Sequence, residues 1–366
     1  MKKNIIAISG LQRMDNPQPG AGMIQSLRRA CPDLTIIGLV YDAMESGIYA
    51  AGGPDQVHLM PYPTAGTGPY FERLDAIRAH TPFEILIPTL DSEIELLSHV
   101  SDLFKRRGIR VCLPDPATLR RRSKSHLPEL AETCDVDVPD TRMASDLGTA
   151  SRMAAELGFP LIVKGPYYEA RVVRNGMELS TAANRLLSEW GAPVILQSPV
   201  CGPEFNVLGL GDGQGRIRGM CAIRKTVLSE KGKGLGGITV HDPVLNSLCT
   251  RLIRALRWPG PFEIELIFNE ADHRYTLIEI NPRFPAWIDF PSQLGANFPL
   301  ALLRMIRGER LSPLPATKPG HFYIRHQVEA VGHISRFSAL MGDNLPAELL
   351  PWGEITPPLS RKGILP

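Results

Sequence analysis

The sequence predicts an α/β domain with a parallel sheet at the N-terminal end, followed by a larger region of α+β character. Three observations lead to this prediction. Short apolar runs alternate with helix patterns in the first third of the chain, and a boundary rich in proline and arginine follows at 114–124. Further along, two strands joined by a polar turn form a predicted antiparallel hairpin between 263 and 281.

The N-terminal domain takes its class from apolar runs that read as buried strands, at 4–9, 34–40, 84–88 and 110–113. Helix patterns at 20–30 and around 94–100 lie between them. Short continuous strands that alternate with helices are typical of a parallel sheet covered on both faces. The first turn, Gly10-Leu11-Gln12-Arg13, lacks the spacing G-x-G-x-x-G, which excludes a dinucleotide site of that type. We interpret this domain as a scaffold that can also present a substrate surface.

The region after the boundary begins with a helix pattern at 150–157, which Gly158 and Pro160 end. Asp242, followed by Pro243, predicts the start of a later amphipathic helix, and a last helix is predicted at 299–307. Strands are predicted at 161–163, 193–197, 205–210, 220–223, 263–268 and 275–281. The final segment, 311–366, is rich in proline and weakly patterned.

Composition favours a protein that acts on small molecules. Lys and Arg number 40 against 38 Asp and Glu, so no excess of positive charge points to nucleic acid. The six cysteines are dispersed without a C-x-x-C motif, as expected for reduced thiols in the cytoplasm. The apolar stretch 5–8 is too short for a signal peptide, and no run of about 18 apolar residues suggests a membrane helix. We therefore expect a cytoplasmic protein with neither nucleic acid nor membrane as its partner.

The hairpin carries the most informative side chains. Glu279 and Asn281 alternate with apolar residues, so they share one face of their strand, and Glu263 and Glu265 share a face of the preceding strand. Antiparallel pairing can bring these carboxylates onto one surface, where they repel each other unless a cation lies between them. Carboxylate and amide oxygens suit Mg²⁺ or Mn²⁺. Taken alone, the same residues are equally consistent with the solvent face of an ordinary hairpin.

The segment 260–283 resembles the closing hairpin of the ATP-grasp superfamily, in the branch of carbamoyl-phosphate synthetase and biotin carboxylase. That branch carries a glutamate on the first strand and Glu-x-Asn-x-Arg on the second. The resemblance implies that Glu265, Glu279 and Asn281 bind metal, with Glu263 as the alternative to Glu265 on the same strand face. It also implies that Arg283 faces the substrate carboxylate or its phosphorylated product.

Further matches to this family occur upstream in the expected order. Lys124 and Lys164 match the two lysines that contact the phosphates of ATP. The segment 195–200, with Gln197, Ser198 and Val200, resembles the hinge that reads adenine. Glu204, in Gly202-Pro203-Glu204, matches the carboxylate that holds the ribose. Arg224 falls on the strand that supplies a basic phosphate contact, with Lys225 as a near alternative.

The resemblance implies a division into three parts. Residues 1–115 form the domain that precedes the ATP-grasp fold, and 116–310 form that two-lobed fold, with a small lobe at about 120–198 and a large lobe at about 199–310. Residues 311–366 form a C-terminal extension. In the first domain, 88–93 resembles the loop that approaches the active site, although Asp91 is as readily explained as a helix cap.

One loop departs from the family pattern. Relatives carry a glycine-rich loop that covers the phosphates with backbone N–H groups, whereas this chain has Gly165-Pro166-Tyr167-Tyr168-Glu169-Ala170-Arg171. Pro166 has no N–H to donate. Either Arg171 supplies a side-chain contact instead, or the cationic loop at 229–237 does the covering. Downstream of the hairpin, Trp287 is expected either to line the acceptor pocket or to pack between the lobes.

The function implied by the resemblance is an ATP-dependent ligase that joins a small-molecule carboxylate to an amine. ATP and Mg²⁺ (or Mn²⁺) are the implied cofactors, and an acyl phosphate is the implied intermediate. Activation of bicarbonate, as in carboxylases, is one alternative, and a protein that binds ATP without turnover is another. A purely structural role explains fewest of the matched residues. A homodimer is compatible with the family.

Overall fold

The computed structural model describes residues 4–165, 170–229 and 234–331, together with 334, 340–341 and the backbone of 347–348. The helices are α1 Pro19–Ala30, α2 Thr67–His80, α3 Asp91–Ser98, α4 Ser101–Arg106, α5 Pro116–Arg121, α6 Leu127–Cys134, α7 Leu147–Leu157, α8 Gly176–Trp190, α9 Pro243–Leu256, α10 Asp289–Gln293 and α11 Phe298–Ile306. The strands are β1 Ile5–Ser9, β2 Thr35–Val40, β3 Gln56–Leu59, β4 Ile85–Ile87, β5 Thr141–Ala144, β6 Leu161–Lys164, β7 Ala170–Val173, β8 Val194–Gln197, β9 Glu204–Asp212, β10 Ile217–Leu228, β11 Gly234–Val240, β12 Pro259–Asn269, β13 Arg274–Asn281, β14 Phe322–Ile324 and β15 Ala347–Glu348.

The N-terminal sheet confirms the predicted parallel class. Its order is β15-β3-β2-β1-β4, with parallel pairing from β3 to β4 and antiparallel pairing of β15 at the edge. The predicted strand at 110–113 is wrong, because Arg110 makes only an isolated bridge with Ile85. This short segment leads into Pro114, which has no N–H to extend a ladder.

The central sheet is antiparallel and contains the predicted hairpin. Its order is β13-β12-β9-β10-β11-β14, so Phe322–Ile324, from the weakly patterned final segment, supplies its last strand. A smaller antiparallel sheet, in the order β5-β8-β6-β7, carries α7 and α8. The fold thus combines a parallel α/β sheet with two antiparallel sheets.

Both faces of the central sheet are buried along much of their length. On one face, apolar residues such as Val207, Ile264 and Leu266 pack with α9 in a single cluster. On the other face, Leu208 and Ile223 share a cluster with α1 and α11. The residues of β9 therefore alternate between two cores, and the polar residues of the second face lie at the end of an otherwise buried surface.

The order of the parallel strands places a topological switch point between β1 and β4. Ligands of open α/β sheets bind outside the carboxyl ends of the strands at such a point. Gly10 follows β1 here with φ +69°, and a Cβ atom at this position would lie 2.2 Å from Thr89 Oγ1. Only glycine fits this close approach, so the loops after β1 and β4 are packed directly together.

A buried carboxylate fixes the same two loops. Glu93, in the first turn of α3, accepts hydrogen bonds from the hydroxyl groups of Ser9 and Tyr41 and from the backbone N–H of Thr89 and Leu90. Burial raises the pKa of Glu93, while these hydrogen bonds oppose the shift. The start of α3 is thereby attached to β1 and β2.

No helix among the described residues is long and apolar enough to cross a membrane.

Phe262 tests the core between β9, β12 and α9. Its side chain is fully buried, and its ring lies over Gly209. Phe262→Ala should lower the free energy of unfolding by about 3–5 kcal/mol, because the removed ring leaves a cavity. Urea unfolding followed by tryptophan fluorescence measures this loss. Phe322→Ala, at an exposed position of β14, is the control and should change the value by less than about 0.5 kcal/mol; equal losses would contradict the assigned core.

His58 predicts an acid-sensitive step in stability. Its side chain is 1% exposed, neither ring nitrogen has a hydrogen-bond partner among the described residues, and burial lowers its pKa from 6.5 to about 4. The folded state therefore binds fewer protons than the unfolded state between these values, so stability falls as the pH falls through this window, by up to about 3 kcal/mol. His58→Leu should remove that part of the pH dependence in urea titrations. An unchanged slope in the variant would refute the assignment.

Candidate active site

The carboxylates of β12 and β13 meet as the alternation predicts. Glu263 lies opposite Asn281, and Glu265 lies opposite Glu279. The Asn281 amide donates from Nδ2 to Glu263 Oε2 at 3.2 Å and to Glu265 Oε1 at 3.1 Å. Glu263 is 4% exposed, whereas the Glu265 and Glu279 side chains are 31% and 36% exposed. The deep position on this face thus belongs to Glu263, and the accessible carboxylates are Glu265 and Glu279.

Arg283 links this cluster to the N-terminal sheet. Its Nη1 donates to Glu263 Oε2 at 2.9 Å and to the backbone oxygen of Phe284 at 3.3 Å. Its Nε donates to Asp91 Oδ2 at 3.2 Å. Burial acts to lower the pKa of Arg283, but Asp91 and Glu263 outweigh it and raise the pKa above the usual value. The expectation that Asp91 caps a helix is wrong, because Leu90 holds the N-cap position of α3 and Asp91 is its first residue.

The prediction for Arg224 requires a correction. Arg224 lies opposite Phe205 on the face that packs against α9, and its side chain is exposed. The next residue, Lys225, lies on the carboxylate face, where Nζ is 2.8 Å from Glu204 Oε2 and 3.1 Å from Glu265 Oε2. Burial acts to lower the pKa of Lys225, but the two carboxylates outweigh it and raise the pKa. The structure therefore brings Lys225, the alternative named from the sequence, into the cluster.

Two lysines face the carboxylates from outside the central sheet. Lys124, between α5 and α6, has its Nζ 3.9 Å from Glu279 Oε2. Lys164, at the end of β6 in the small sheet, donates to Gln197 Oε1 at 2.7 Å. Burial and the charge of Lys124 lower the pKa of Lys164, and Glu279 and Glu265 oppose that shift. Lys124 and Lys164 thus lie close enough to the accessible carboxylates Glu265 and Glu279 for their charges to interact.

The predicted hinge connects these two sheets. Gln197 ends β8, where its Nε2 donates to Thr141 Oγ1 at 3.1 Å while its Oε1 accepts from Lys164. The backbone N–H of Ser198 donates to Asp140 O at 2.9 Å, and Val200 is half-buried in the segment that leads into β9. Glu204, at the start of β9, forms an ion pair with Lys225.

Several residues of the site were not predicted from the sequence. Asn206 is 4% exposed, donates to Glu263, and has a buried Oδ1 without a donor among the described residues. Asn206 lies two residues after Glu204 on one strand, so the sequence alone could have placed both side chains on the same face. Arg122 donates to Glu95 in α3 and to the backbone oxygen of Ile280, between Glu279 and Asn281. Its place in a run of arginines gave no such indication.

An aromatic surface borders the same face. Trp287 is 7% exposed and stacks on Tyr323 of β14, with ring centroids 6.2 Å apart. Burial raises the pKa of Tyr323 to about 12, and Glu263 and Lys225 are among the charged groups close enough to affect it. Arg325 follows two residues later, and burial lowers its pKa. Tyr323 and Arg325 could not be predicted, because the final segment has too weak a pattern to be placed in a sheet.

The candidate covering loops lie largely outside the described residues. Residues 166–169 and 230–233 are not described, so the predictions for Pro166, the two tyrosines and the centre of 229–237 stay predictions. Arg171 is described, and its exposed side chain lies on β7.

The donor set fits a hard divalent cation shared with phosphate oxygens. Within the described part of the chain, no group of three His, Cys, Asp or Glu side chains converges into a ready-made metal cluster. Glu263 is held by Arg283 and two amides, which leaves Glu265 and Glu279 as the accessible carboxylates, with the buried Asn281 amide beside them. Magnesium is commonly held by one or two carboxylates plus waters and substrate phosphates. An incomplete set of oxygen ligands is therefore what such a site needs.

Comparison with solved structures reveals the same fold in several enzymes. The biotin carboxylase domain of a 2-oxoglutarate carboxylase from Hydrogenobacter thermophilus, solved with MgADP and bicarbonate, is 18% identical with a TM-score of 0.64, covering 84% of this chain and 70% of that one. An L-amino acid ligase from Bacillus licheniformis is 16% identical with a TM-score of 0.61, covering 84% and 75%. An N5-carboxyaminoimidazole ribonucleotide synthetase from Thermotoga maritima is 17% identical with a TM-score of 0.59, covering 86% and 78%.

Similarity in sequence covers a smaller part of the chain than similarity in structure. No family model matches the chain. The arginine-specific large chain of carbamoyl phosphate synthase from Lactiplantibacillus plantarum is 25% identical over 189 residues, which covers 46% of this chain and 18% of that protein. The chain thus spans less than a fifth of the length of this curated relative.

The assignment of Lys225, and not Arg224, to the carboxylate cluster can be tested by measuring the free energy of unfolding. Lys225→Met should lower the free energy of unfolding by about 2 kcal/mol, because Glu204 and Glu265 lose a charge-assisted hydrogen bond to a buried ammonium group. Arg224→Met is the matched control one residue away, and should change the value by no more than about 0.5 kcal/mol. Urea unfolding of both variants gives the comparison; a greater loss for Arg224→Met would reverse the correction.

Proposed function

We propose that this chain, which has the ATP-grasp fold of the three enzymes above, is an ATP-dependent ligase that joins a carboxylic acid to an amine through an acyl phosphate. Fold similarity alone does not select a reaction, so the proposal is argued from the site.

One arrangement carries the proposal. Lys124 and Lys164 lie close enough to Glu265 and Glu279 for their charges to interact, and Asn281 lies on the same strand face as Glu279. A nucleoside triphosphate with its divalent cation requires both kinds of group, since cations hold phosphate oxygens and carboxylates hold the metal. A structural ion-pair network would not need an accessible pair of carboxylates beside a half-buried lysine whose pKa burial lowers.

Each part of ATP has a suitable partner. The segment 197–200 lies between the small and central sheets and offers backbone groups to adenine. Glu204, next to it, is placed to hold the ribose hydroxyls. Lys124, Lys164 and Lys225 supply positive charge for phosphate oxygens, which replaces Arg224 by Lys225 in the predicted set.

Glu265, Glu279 and Asn281 would hold Mg²⁺, which offsets the negative charge of the β- and γ-phosphates when it is bound. The Asn281 amide already orients two carboxylates by donating to Glu263 and Glu265. This preorganised positioning is the main contribution that a protein makes to phosphoryl transfer.

Arg283 is the proposed partner of the substrate carboxylate. Its Nε and Nη1 are engaged, whereas its Nη2 has no hydrogen-bond partner among the described residues. A carboxylate oxygen held at Nη2 is positioned to attack the γ-phosphate, which produces the acyl phosphate and ADP. The stacked rings of Trp287 and Tyr323 add an apolar surface nearby. Bicarbonate has no apolar part to contact such a surface, so an organic acid is favoured over bicarbonate.

The wider setting is proposed on the same basis. The six cysteines are free thiols, which is consistent with the reducing cytoplasm. The partners are the small acid and amine, and a homodimer is compatible with the fold.

The test is an assay of ADP release. The purified protein with Mg-ATP and a pool of amino acids and small carboxylic acids should release ADP and phosphate only when the pool is present. Glu279→Gln should reduce turnover by at least about 100-fold, because a metal ligand and its charge are lost. Dividing the pool then identifies the acid and the amine.

Three results would contradict the proposal. ATP binding without turnover across every pool would favour the protein that binds ATP without catalysis. Absence of ATP binding in isothermal titration would refute the nucleotide site itself. Retained activity in Glu279→Gln would show that the turnover arises elsewhere, from the sample or from another site.

A further inference from the structure

Asp91 lies next to the proposed binding site of the substrate carboxylate, and the proposed function gives it no role. It is the first residue of α3, at the carboxyl end of β4 and beside the switch point of the N-terminal sheet. Glu93 attaches this loop to β1 and β2, so Asp91 projects from a fixed backbone and not from a free loop. It is also the residue through which the N-terminal domain reaches Arg283.

The geometry of the Arg283 guanidinium places Asp91 next to the reacting acid. The Nε–H and Nη2 groups of an arginine lie on one edge of the planar guanidinium, which is the edge that binds carboxylates side-on. Asp91 Oδ2 accepts from Nε on that edge at 3.2 Å, and the neighbouring Nη2 is the group left for the substrate. A carboxylate or acyl phosphate at Nη2 therefore has Asp91 as its immediate neighbour.

Asp91 has acceptor capacity that the protein does not fill. An ionised carboxylate can accept about four hydrogen bonds. Here Asp91 accepts one, from Arg283, while its Oδ1 is a buried atom with no donor among the described residues. The side chain as a whole is 29% exposed, so it borders the open space at the switch point. Because Oδ1 is closed to solvent, a donor from outside the protein can reach this carboxylate only at its exposed part, beside the contact of Oδ2 with Arg283.

We propose that Asp91 binds the amine substrate as its ammonium form and accepts the proton that the amine loses during attack on the acyl phosphate. The proposal rests on the proposed ligase function and assigns its second substrate to the surface between Asp91 and Arg283. The class of substrate is a primary amine, because an ammonium group donates the hydrogen bonds that Asp91 lacks and carries the charge opposite to its own.

The step balances without any further reactant. The bound ammonium ion first releases one proton to solvent. The nitrogen lone pair then forms the bond to the acyl carbon, and the carbon–oxygen bond to phosphate breaks with its electron pair on phosphate. The remaining proton to be lost passes from nitrogen to Asp91 and from there to the departing phosphate. The products are the amide and phosphate, and the Asp91 carboxylate is regenerated.

A role limited to holding Arg283 is the competing explanation. Glu263 already holds the same guanidinium, at 2.9 Å and in a more buried position. Arg283 would therefore stay in place if Asp91 were replaced by an amide, since the Asn carbonyl oxygen can still accept from Nε. The two explanations separate because only the amine role predicts a loss confined to the second half of the reaction.

The experiment compares two nucleophiles on the full chain. The protein is incubated with Mg-ATP and the amino-acid and small-carboxylate pool, with and without excess hydroxylamine at neutral pH, and hydroxamates and amides are measured by mass spectrometry. Hydroxylamine is largely unprotonated at neutral pH and reacts with acyl phosphates without help from a base. Asp91→Asn should keep hydroxamate formation close to that of the unchanged protein and reduce amide formation by about 100-fold or more.

Glu95→Gln is the matched control. Glu95 lies one turn further along the same helix and also pairs with an arginine, Arg122, so its replacement reports any general loosening of α3. It should leave the ratio of amide to hydroxamate unchanged.

Each outcome decides the proposal. An equal loss of both products in Asp91→Asn would assign Asp91 to holding Arg283 alone, and undiminished amide formation would remove it from the reaction. If the unchanged protein forms neither product, the ligase function fails and the amine site with it. A loss of amide alone, with ADP release in hydroxylamine preserved, supports the proposal.

Discussion

The pairing of the partly buried Arg283 with two carboxylates is the interaction on which the site depends. A guanidinium partly withdrawn from water is costly unless its charge and its donors are matched. Here the matching groups come from two different parts of the fold. Asp91 belongs to the helix after β4, whereas Glu263 belongs to the central strand β12. Both elements contribute to the compensation of this charge. The pairing therefore couples the position of the parallel domain to the geometry of the carboxylate hairpin.

A second constraint is that one face of the central sheet is apolar along part of its length and polar at one end. Leu208 and Ile223 bury that face against α1 and α11. Its polar part begins with Asn206 and Lys225, each two residues away from its apolar neighbour on the same strand. The site is therefore continuous with a close-packed core, which holds its backbone rigid. Arg122 adds a further support by binding both α3 and the backbone of β13. Catalytic side chains on such strands need little reorganisation when a substrate arrives.

The sequence was informative where periodicity and local motifs determine structure. Alternation along β12 and β13 correctly predicted that carboxylates of both strands lie on one surface, and the apolar runs correctly predicted the parallel sheet. Contacts between distant segments could not be predicted, because no local pattern encodes them. Asp91 and Arg283 are separated by 192 positions, and Tyr323 reaches the site from a segment without clear periodicity. The error at Arg224 had a different origin: two adjacent basic residues look equivalent in sequence although they face opposite sides of β10.

The opposite orientation of Arg224 and Lys225 affects how sequences of this fold are aligned. At 16–18% identity a displacement of one position within a strand barely changes an alignment score. In β10 the same displacement exchanges a residue on the carboxylate face for one on the face that packs against α9. Consecutive side chains of a strand project in opposite directions. Residue-by-residue transfer of roles among such distant relatives is therefore sound only when strand parity is checked against a three-dimensional superposition. A displacement by two preserves the face, and is the less damaging error.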